Sequence, residues 1–537
     1  MRLGIDFGTT RVVVASVDRG NYPLAVFDAP DGSARDWFPP LIAIQGSRRL
    51  FGWEAWAVQE EPGWTVVRSL KRLLGAASLA SEVEIAGQLI PLRDLLVGLA
   101  SALRLSLLQH SNLPAGESEP FEVMLGVPAN ASSNQRFLTT EMFRSAGFQV
   151  LGLLNEPSAA SIEFGHRRRQ EASARQPAQI LVYDLGGGTF DASLVELHER
   201  DHVVVASEGI ESLGGDDFDE LLAELALDAA GVIPAERDAL AQAELFRLHE
   251  ECREKKEALH PNTRFINVDL GKVRAEWRPV TVTAADFYQR SRPAVQETIH
   301  AVEDLLESHG LSVSPANGEA RIDTLYVTGG ASDLPLVSRM LREVFGRSVR
   351  RSAYTRSATA IGLAIQADAK AGYQLRDRFT RYFGVWREGE GGRTAVFDTL
   401  FSKDTALPAP QQPPLVQVRR YSPVHNVGYF QYLECSHLTD GARPAGDINT
   451  WDEIRFPFDP SLREVADLAG IAVEHSPVAA SREIEESYSC DSNGAVVVGI
   501  TDLADGYHRE YRLGSGKAQE RRVVPGRRAK RSRTRSR

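Results

Sequence analysis

Apolar residues change their spacing along this chain, and the change divides it. Up to about residue 370, short β-branched runs alternate with stretches whose apolar residues recur every three or four positions, as strands alternating with amphipathic helices do. The spacing predicts strands over 3–7 and 11–17 around a Gly8-Thr9-Thr10 turn, and another strand over 41–44 after Pro39 and Pro40. Val67, Leu70, Leu73 and Leu74 fall on one helical face, with Lys71 and Arg72 beside it. A long helix is expected over 89–110, and a strand over 121–127. A helix is then opened by Ser132 or Ser133 as N-cap. Segment 151–165 reads as a strand followed by a helix, with Pro157 in its first turn. Strands follow at 181–183, from Thr189, and at 203–208. Residues 215–260 are mostly helical, 293–310 form a helix closed by Gly310, 325–327 a strand, and 357–368 a helix. From residue 385 to 513 the period falls to two, with Gly, Pro and Asn between short runs, which reads as an all-β sandwich. Asp491-Ser492-Asn493-Gly494 between two such runs is a hairpin turn.

Length and charge narrow the class. At 537 residues the chain exceeds one core, so two or three domains are expected. Apolar content of 43% and charged content of 25% are ordinary for a soluble globular protein. The three cysteines, Cys252, Cys435 and Cys490, lie far apart and suggest neither a disulfide framework nor a metal site. The first residues read directly as a strand, so no signal peptide is expected, and no apolar run approaches ~18 residues. A cytoplasmic location follows by default. The net charge of −11 is uneven: residues 517–537 hold ten Lys or Arg against one Glu, leaving −20 on the first 516. An acidic body argues against a nucleic-acid surface there. The tail, 516–537, reads as disordered, either simply solvated or attracted to acidic surfaces.

The candidate chemistry sits at 181–193, LVYDLGGGTFDAS. Asp184 ends a strand, Gly186, Gly187 and Gly188 turn the backbone, and Thr189 and Asp191 open the next strand. Three glycines leave no Cβ between backbone N–H groups and a phosphate, and Asp184 with Asp191 could hold a hydrated Mg²⁺. A plain Gly-rich hairpin is the competing reading. It weakens because LGIDFGTT repeats the pattern: Asp6, Gly8, Thr9 and Thr10 precede their counterparts by about 178 residues. Two similar halves that clamp a nucleotide tail account for both.

GIDFGTT, LLNEPSAASIEFG, LVYDLGGGTFDAS, ESLGGDDFD and LYVTGGASDLP resemble, in order, the ATP-site segments of the Hsp70 (DnaK-like) chaperones, within the actin-like ATPase superfamily. The resemblance is good over 1–370 and weak over 380–515. It implies a duplicated, ribonuclease H-like α/β ATPase domain over 1–370, a linker over 371–384, and a β-sandwich substrate-binding domain over 385–515. It implies bound ATP or ADP with Mg²⁺ held through water by Asp6 and Asp184. Lys71, a solvated helix charge on bland grounds, matches the lysine that positions the attacking water. Glu156, otherwise a helix-dipole partner, falls near the Mg²⁺ waters. Thr189 and Asp191 complete the catalytic group. Gly8, Thr9, Thr10, Arg11, Gly186, Gly187 and Gly188 are implied on the phosphates. Gly214 and Gly215, a bare turn or a helix N-terminus facing phosphate, join them. Lys256, Gly329, Gly330 and Ala331 are implied on the adenosine. Pro128 and Arg136 match an interdomain relay. Arg253, Glu257, His260 and Asp333 depart from the family's pattern at the base, as Arg376, Arg378 and Arg381 do in a linker that is aliphatic in the family. Docking through apolar burial is therefore expected to be weaker.

The family's helical lid needs ~100 residues beyond 515 and 22 remain, so a lidless chaperone is expected. Unfolded or extended polypeptide, J-domain proteins and nucleotide-exchange factors are the implied partners. A nucleotide-gated scaffold for one dedicated partner is the alternative, and a sugar kinase of the superfamily a more distant one.

Overall fold

The strand Arg2–Phe7 buries Leu3 and Ile5 completely, and it pairs on both sides. It runs antiparallel to Val12–Ser16 and parallel to Glu122–Val127, which is parallel to Gln149–Asn155. A six-stranded sheet repeats the plan. Ala178–Leu185 runs antiparallel to Phe190–His198 and parallel to Thr324–Thr328, which is parallel to Val349–Arg351. Asp201–Ile210 and then Gln374–Arg376 extend the other edge. Strands buried on both faces read as unbroken apolar runs, which is why both hairpins were legible. In the computed structural model the described residues are 1–75, 77, 81–114, 116, 119–169, 177–311, 322–389, 394–409, 412–439 and 441–513. The expected disordered tail lies outside them.

Two helices cross between the sheets. Ala358–Ala367 packs on the first sheet and Glu156–Arg168 on the second, and they touch one another. A Cβ on Gly362 would lie 1.8 Å from the Ala159 carbonyl oxygen, and one on Gly4 would lie 2.2 Å from the Ala364 nitrogen. Ala360 and Gly362 thus give the close helix packing that their small size predicts. Ser132 is the N-cap of helix Ser133–Ser145, accepting from the Gln135 N–H.

Several elements differ from the periodicity. Thr65–Val67 is a strand against Ile42–Gln45, and Leu70–Gly75 is a 3-10 helix, so Val67 and Leu70 share no helical face. Ser69, at φ 65°, turns the chain between them. Gln88–Pro91 is a strand, and the long helix starts after it, at Leu92–Gln109. Ala284–Glu307 runs through Pro293 because Phe287, Val295, Ile299 and Val302 all bury on one side. Among the described residues no helix is long and apolar enough to cross a membrane.

Beyond residue 381 the chain forms two four-stranded antiparallel sheets. The first orders Thr394–Phe401, Tyr382–Gly389, Val427–Leu438 and Pro444–Pro457. The second orders Leu415–Tyr421, Ile484–Cys490, Val496–Asp502 and Tyr507–Arg512. Phe383, Tyr432 and Phe456 from one join Tyr488, Val498 and Tyr511 from the other in a single core. The turn at 491–494 is present, with Gly494 at φ 76°.

The joining segment docks through main-chain pairing and charge beside some apolar contact: Tyr373 is buried with Ile162 and Ile365, and Leu375 packs on the core of the second sheet. Gln374–Arg376 adds a parallel strand beside Asp201–Val203. Arg378 donates to the carbonyls of Val204 and Asp404, both at 2.8 Å. Main-chain pairing and charge add to the apolar contact of Tyr373 and Leu375.

His202 lies under that added strand, opposite Leu375. Its Nδ1 is 3.2 Å from Ser161 Oγ and its ring meets Tyr373 edge-on at 5.5 Å. Burial pushes its pKa down to about 4. The unfolded chain therefore takes up this proton at higher pH than the folded one. The stability contributed by neutral His202 is complete above the ordinary pKa of about 6.5 and is lost as pH falls toward 4. Replacing it, as in His202→Gln, should flatten the wild-type stability loss between pH 6.5 and 4 by on the order of 3 kcal/mol in chemical denaturation. Equal slopes in the two proteins would contradict this.

Candidate functional site

The hairpin turns of the two lobes face each other across a cleft of about 860 Å³. Asp6, Gly8, Thr9, Thr10, Arg11, Lys71, Glu156, Asp184, Gly186, Gly187, Gly188, Thr189, Gly215, Lys256, Gly329, Gly330 and Ala331 all line it. Asp191 lines an adjoining cavity of about 430 Å³ together with Thr9, Lys71 and Thr189. Gly214 lines neither.

Glycine is required where the turns meet. A Cβ on Gly187 would lie 2.2 Å from Thr10 Oγ1, and one on Gly188 would lie 2.6 Å from Thr9 Oγ1. Behind them stands the helix Gly215–Ala229, at whose start the sequence left a bare turn and a phosphate-facing N-terminus both open. Its first amides, on Gly215 and Asp216, donate to the carbonyls of Gly186 and Gly187 at 2.9 and 2.8 Å. They fix the loop from behind instead of pointing into the cleft. Gly214 presses against Gly187, since a Cβ there would come within 2.7 Å of it.

Where the cleft meets the adjoining cavity four carboxylates gather around one ammonium. Lys71 is buried, and its Nζ is 2.5 Å from Glu156 Oε1. Burial alone lowers its pKa, but Glu156 and Asp6 outweigh that and raise it. Burial, then Glu156, pushes Asp6 up to about 7 against the pull of Lys71. Burial, then Glu156, Asp191 and Asp6, pushes Asp184 well above the carboxylate range. Asp191 rises to about 7 through burial and Glu156, although Thr189 Oγ1 donates to it at 3.1 Å and the Ala129 N–H at 2.8 Å. Buried like charges of this kind are stabilised by an added cation. Among the described residues no three His, Cys, Asp or Glu side chains are close enough to cage an ion. Mg²⁺ needs no such cage, because it keeps several waters and takes only one or two carboxylates. An all-oxygen donor set beside a Cβ-free cradle fits a hydrated Mg²⁺ with phosphate.

The opposite end of the cleft is built from charge pairs. Lys256 lies 2.6 Å from Asp219 and donates to the Gly215 carbonyl at 2.5 Å. Arg11 of the first lobe reaches Glu257 of the second at 2.5 Å. Arg253 and Arg356 approach the same carboxylate at 3.3 Å, and Arg356 also meets Asp333 at 3.1 Å. Burial would raise Glu257, yet Arg11, Arg253 and Arg356 hold it at about 2. Of the residues that depart from the family's pattern, Arg253 and Glu257 pair with one another, and Asp333 pairs with Arg356. Asp216, Asp219 and Arg356 were not singled out from the sequence, and no local signal marks them. His260 lies beyond the end of helix Gln242–Glu257, away from the cleft. Arg136 is half-buried: its Nη2 donates to Asn155 Oδ1 at 2.5 Å, and Asn155 donates to Asp377 at 2.9 Å.

A duplicated α/β fold that pinches an acid-and-glycine cleft defines a two-lobed protein of the actin-like kind. Residues 115–380 match the family model described as Hsp70 protein. "Chaperone protein HscA" of Klebsiella pneumoniae (strain 342) is 30% identical over 383 residues, and that of Cronobacter sakazakii (strain ATCC BAA-894) 32% over 384. The "Chaperone protein HscA homolog" of Colwellia psychrerythraea (strain 34H / ATCC BAA-681) is 29% identical over 384 residues. Each comparison covers 69% of this chain and 58% of the relative, so the chain spans less than two thirds of the relatives' length. The chain belongs to the Hsp70 family.

The contact between the two turns can be tested directly. Gly187→Ala should destabilise the protein by on the order of 1–3 kcal/mol, because its methyl group overlaps the Thr10 hydroxyl. Adding Thr10→Ala should recover about 1 kcal/mol of that in a double-mutant cycle read by denaturation. Strict additivity would mean that the turns do not touch.

Proposed function

We propose that the cleft binds ATP and ADP with Mg²⁺ and hydrolyses ATP slowly. The observation that carries this reading is the convergence of Asp6, Asp184, Lys71 and Glu156 beneath the opposed Thr9-Thr10 and Gly186–Gly188 turns. Asp6 and Asp184 would hold Mg²⁺ through water, and the ion when bound would neutralise phosphate charge. The backbone of Gly186, Gly187 and Gly188 and the hydroxyls of Thr9 and Thr10 would cradle the phosphates. Lys71, held by Glu156, would orient the attacking water. Thr189 would contact the terminal phosphate or that water, and Asp191, fixed by the Ala129 N–H, would accept from it. Lys256, Gly329, Gly330 and Ala331 would carry the adenosine, with Arg11 closing that end.

The reading extends to a chaperone whose nucleotide state alters the grip of the two-sheet domain on an unfolded or extended polypeptide. Leu415–Tyr421 is one of the two edge strands of its sheet among the described residues, and Val416 and Val418 are exposed on it. Such an edge suits strand addition by a peptide. J-domain and nucleotide-exchange proteins would be the co-chaperones and the cytoplasm the location. The basic segment 517–537 would contact acidic surfaces.

Turnover of wild type and Lys71→Ala, with and without unfolded peptide, tests this. Loss of Lys71 should lower kcat by roughly 10²-fold, and peptide should raise the wild-type rate by more than about 2-fold. Hydrolysis indifferent to Lys71 removes its catalytic role.

A second reading is a nucleotide-gated scaffold for one dedicated partner. It is favoured by the interior of the two-sheet domain, where fully buried Glu486 is held by Arg387, Tyr421 and Tyr488. A rigid polar core of this kind suits a fixed interface more than an adaptable apolar groove. Recovery of one stoichiometric partner, with no retention of unfolded model proteins, would select it. Binding of several unrelated unfolded chains would reject it.

A further inference from the structure

The second cavity adjoins the cleft and shares Thr9, Lys71 and Thr189 with it. Lys71, Thr189 and Asp191 line one end, and Asn130 and Glu211 line the other. Beyond that far end stands Arg381, only 4% exposed. Its Nη1 donates to the Asn130 carbonyl at 3.4 Å and lies 3.2 Å from Glu211 Oε1, both in the lobes. Its Nη2 donates to the carbonyl and carboxylate of Asp447 at 2.9 and 2.7 Å, and its Nε lies 3.8 Å from Glu434. Asp447 and Glu434 belong to the hairpin of Val427–Leu438 and Pro444–Pro457. One guanidinium therefore bonds both units.

Glu434 makes a second link. It accepts the Ser133 N–H at 3.1 Å and the Ser133 hydroxyl. A carboxylate of the two-sheet domain thus satisfies the first turn of a helix in the lobes, where an anion is favourable. At its other end the same short segment is held by Asp191, which accepts the Ala129 N–H at 2.8 Å. Residues 129–133 are pinned on one side by the cleft and on the other by Glu434 and Arg381.

Without the guanidinium, Glu211, Glu434 and Asp447 would face one another across the boundary, with Arg136 acting on Glu434 alone. Of the three only Glu434 is buried, and a buried carboxylate cannot be left unpaired at small cost, so both separation of the domains and loss of Arg381 disturb it. Lysine could not replace it, because a single ammonium lacks the planar fork that reaches Asn130, Glu211 and Asp447 together.

We infer that Arg381, in a linker that is aliphatic in the family, is an ionic lock on domain docking; segment 129–133, between the relay positions Pro128 and Arg136, is the link by which the cleft would reach it. The lock stands on the contacts alone. The link rests on the reading of the cleft as a nucleotide site.

Amide hydrogen exchange on the full chain tests both, in wild type, R381A, R381K, E211Q and D447N. Without nucleotide, R381A should exchange about tenfold faster at residues 133–136 and 445–450, and R381K should recover only part of the protection. The half-exposed positions Glu211 and Asp447 make E211Q and D447N unlike a core lesion. Should R381A fail to fold, these two decide the lock by faster exchange in the same segments. Rates within about 2-fold of wild type in every folded variant overturn the lock. With ADP or ATP plus Mg²⁺, wild type should show a nucleotide-dependent difference at 445–450. R381A should lose that difference while its nucleotide Kd stays within about 3-fold. If R381A retains it, the link is overturned. If wild type binds no nucleotide, the reading of the cleft fails and the link with it, while the nucleotide-free comparison still decides the lock.

Discussion

Four carboxylates and one ammonium, buried together, constrain the rest of this molecule. Asp6, Glu156, Asp184, Asp191 and Lys71 repel or attract one another at low dielectric, so their positions must be imposed by something stiff. The fold imposes them at strand ends. Asp6 and Asp184 close the first strands of two hairpins, and each of these strands is paired on both edges. Glu156 begins a helix whose path is set by the close pass of Gly362 against Ala159. Lys71 sits on a single 3-10 turn and is held in place by Glu156. The Gly-rich turn is braced from behind by the amides of Gly215 and Asp216. Bare of Cβ atoms and short of positive charge, such a base is complementary to a hydrated cation and a polyanion.

What the sequence disclosed follows from the range of the interactions. Asp6 and Asp184 were legible because strand, carboxylate and glycine are neighbours in the chain and the pattern repeats. The two-sheet domain was legible because period two persists through it. Val67 was misplaced on a helix because three or four apolar residues fit either period until a positive φ, here at Ser69, breaks the run. The charged end of the cleft was illegible for another reason. Arg11 and Glu257 are 246 residues apart, and nothing near either announces the other. A lone charged residue reads as a solvated surface until its partner is in view. The same holds for the amides of Gly215 and Asp216, which serve the neighbouring loop although a helix N-terminus alone suggests a ligand.

The arginines of the joining segment show the limit of substituting by type. Replacing an aliphatic side chain with arginine removes apolar burial, and on that ground docking should weaken. Here each guanidinium found acceptors instead. Arg378 uses two main-chain carbonyls, and Arg381 uses two carboxylates and two carbonyls from both units. Apolar contact is tolerant of small shifts, whereas a buried forked ion pair is not. Such a docking interface is stiffer in geometry than an apolar one of equal strength, and it has fewer intermediate positions.

That stiffness bears on how the two units communicate. Segment 129–133 is short and held at both ends by carboxylates, Asp191 in the cleft region and Glu434 in the two-sheet domain. A soft tether would absorb a shift of Asp191 over its own length. A segment whose amides are committed at both ends transmits it, because releasing either bond leaves a buried donor unsatisfied. Charge at the floor of the cleft and charge at the domain boundary are therefore not independent quantities in this fold: any ligand that draws Asp191 toward itself acts, through the five residues 129–133, on the carboxylate that completes the neighbouring helix.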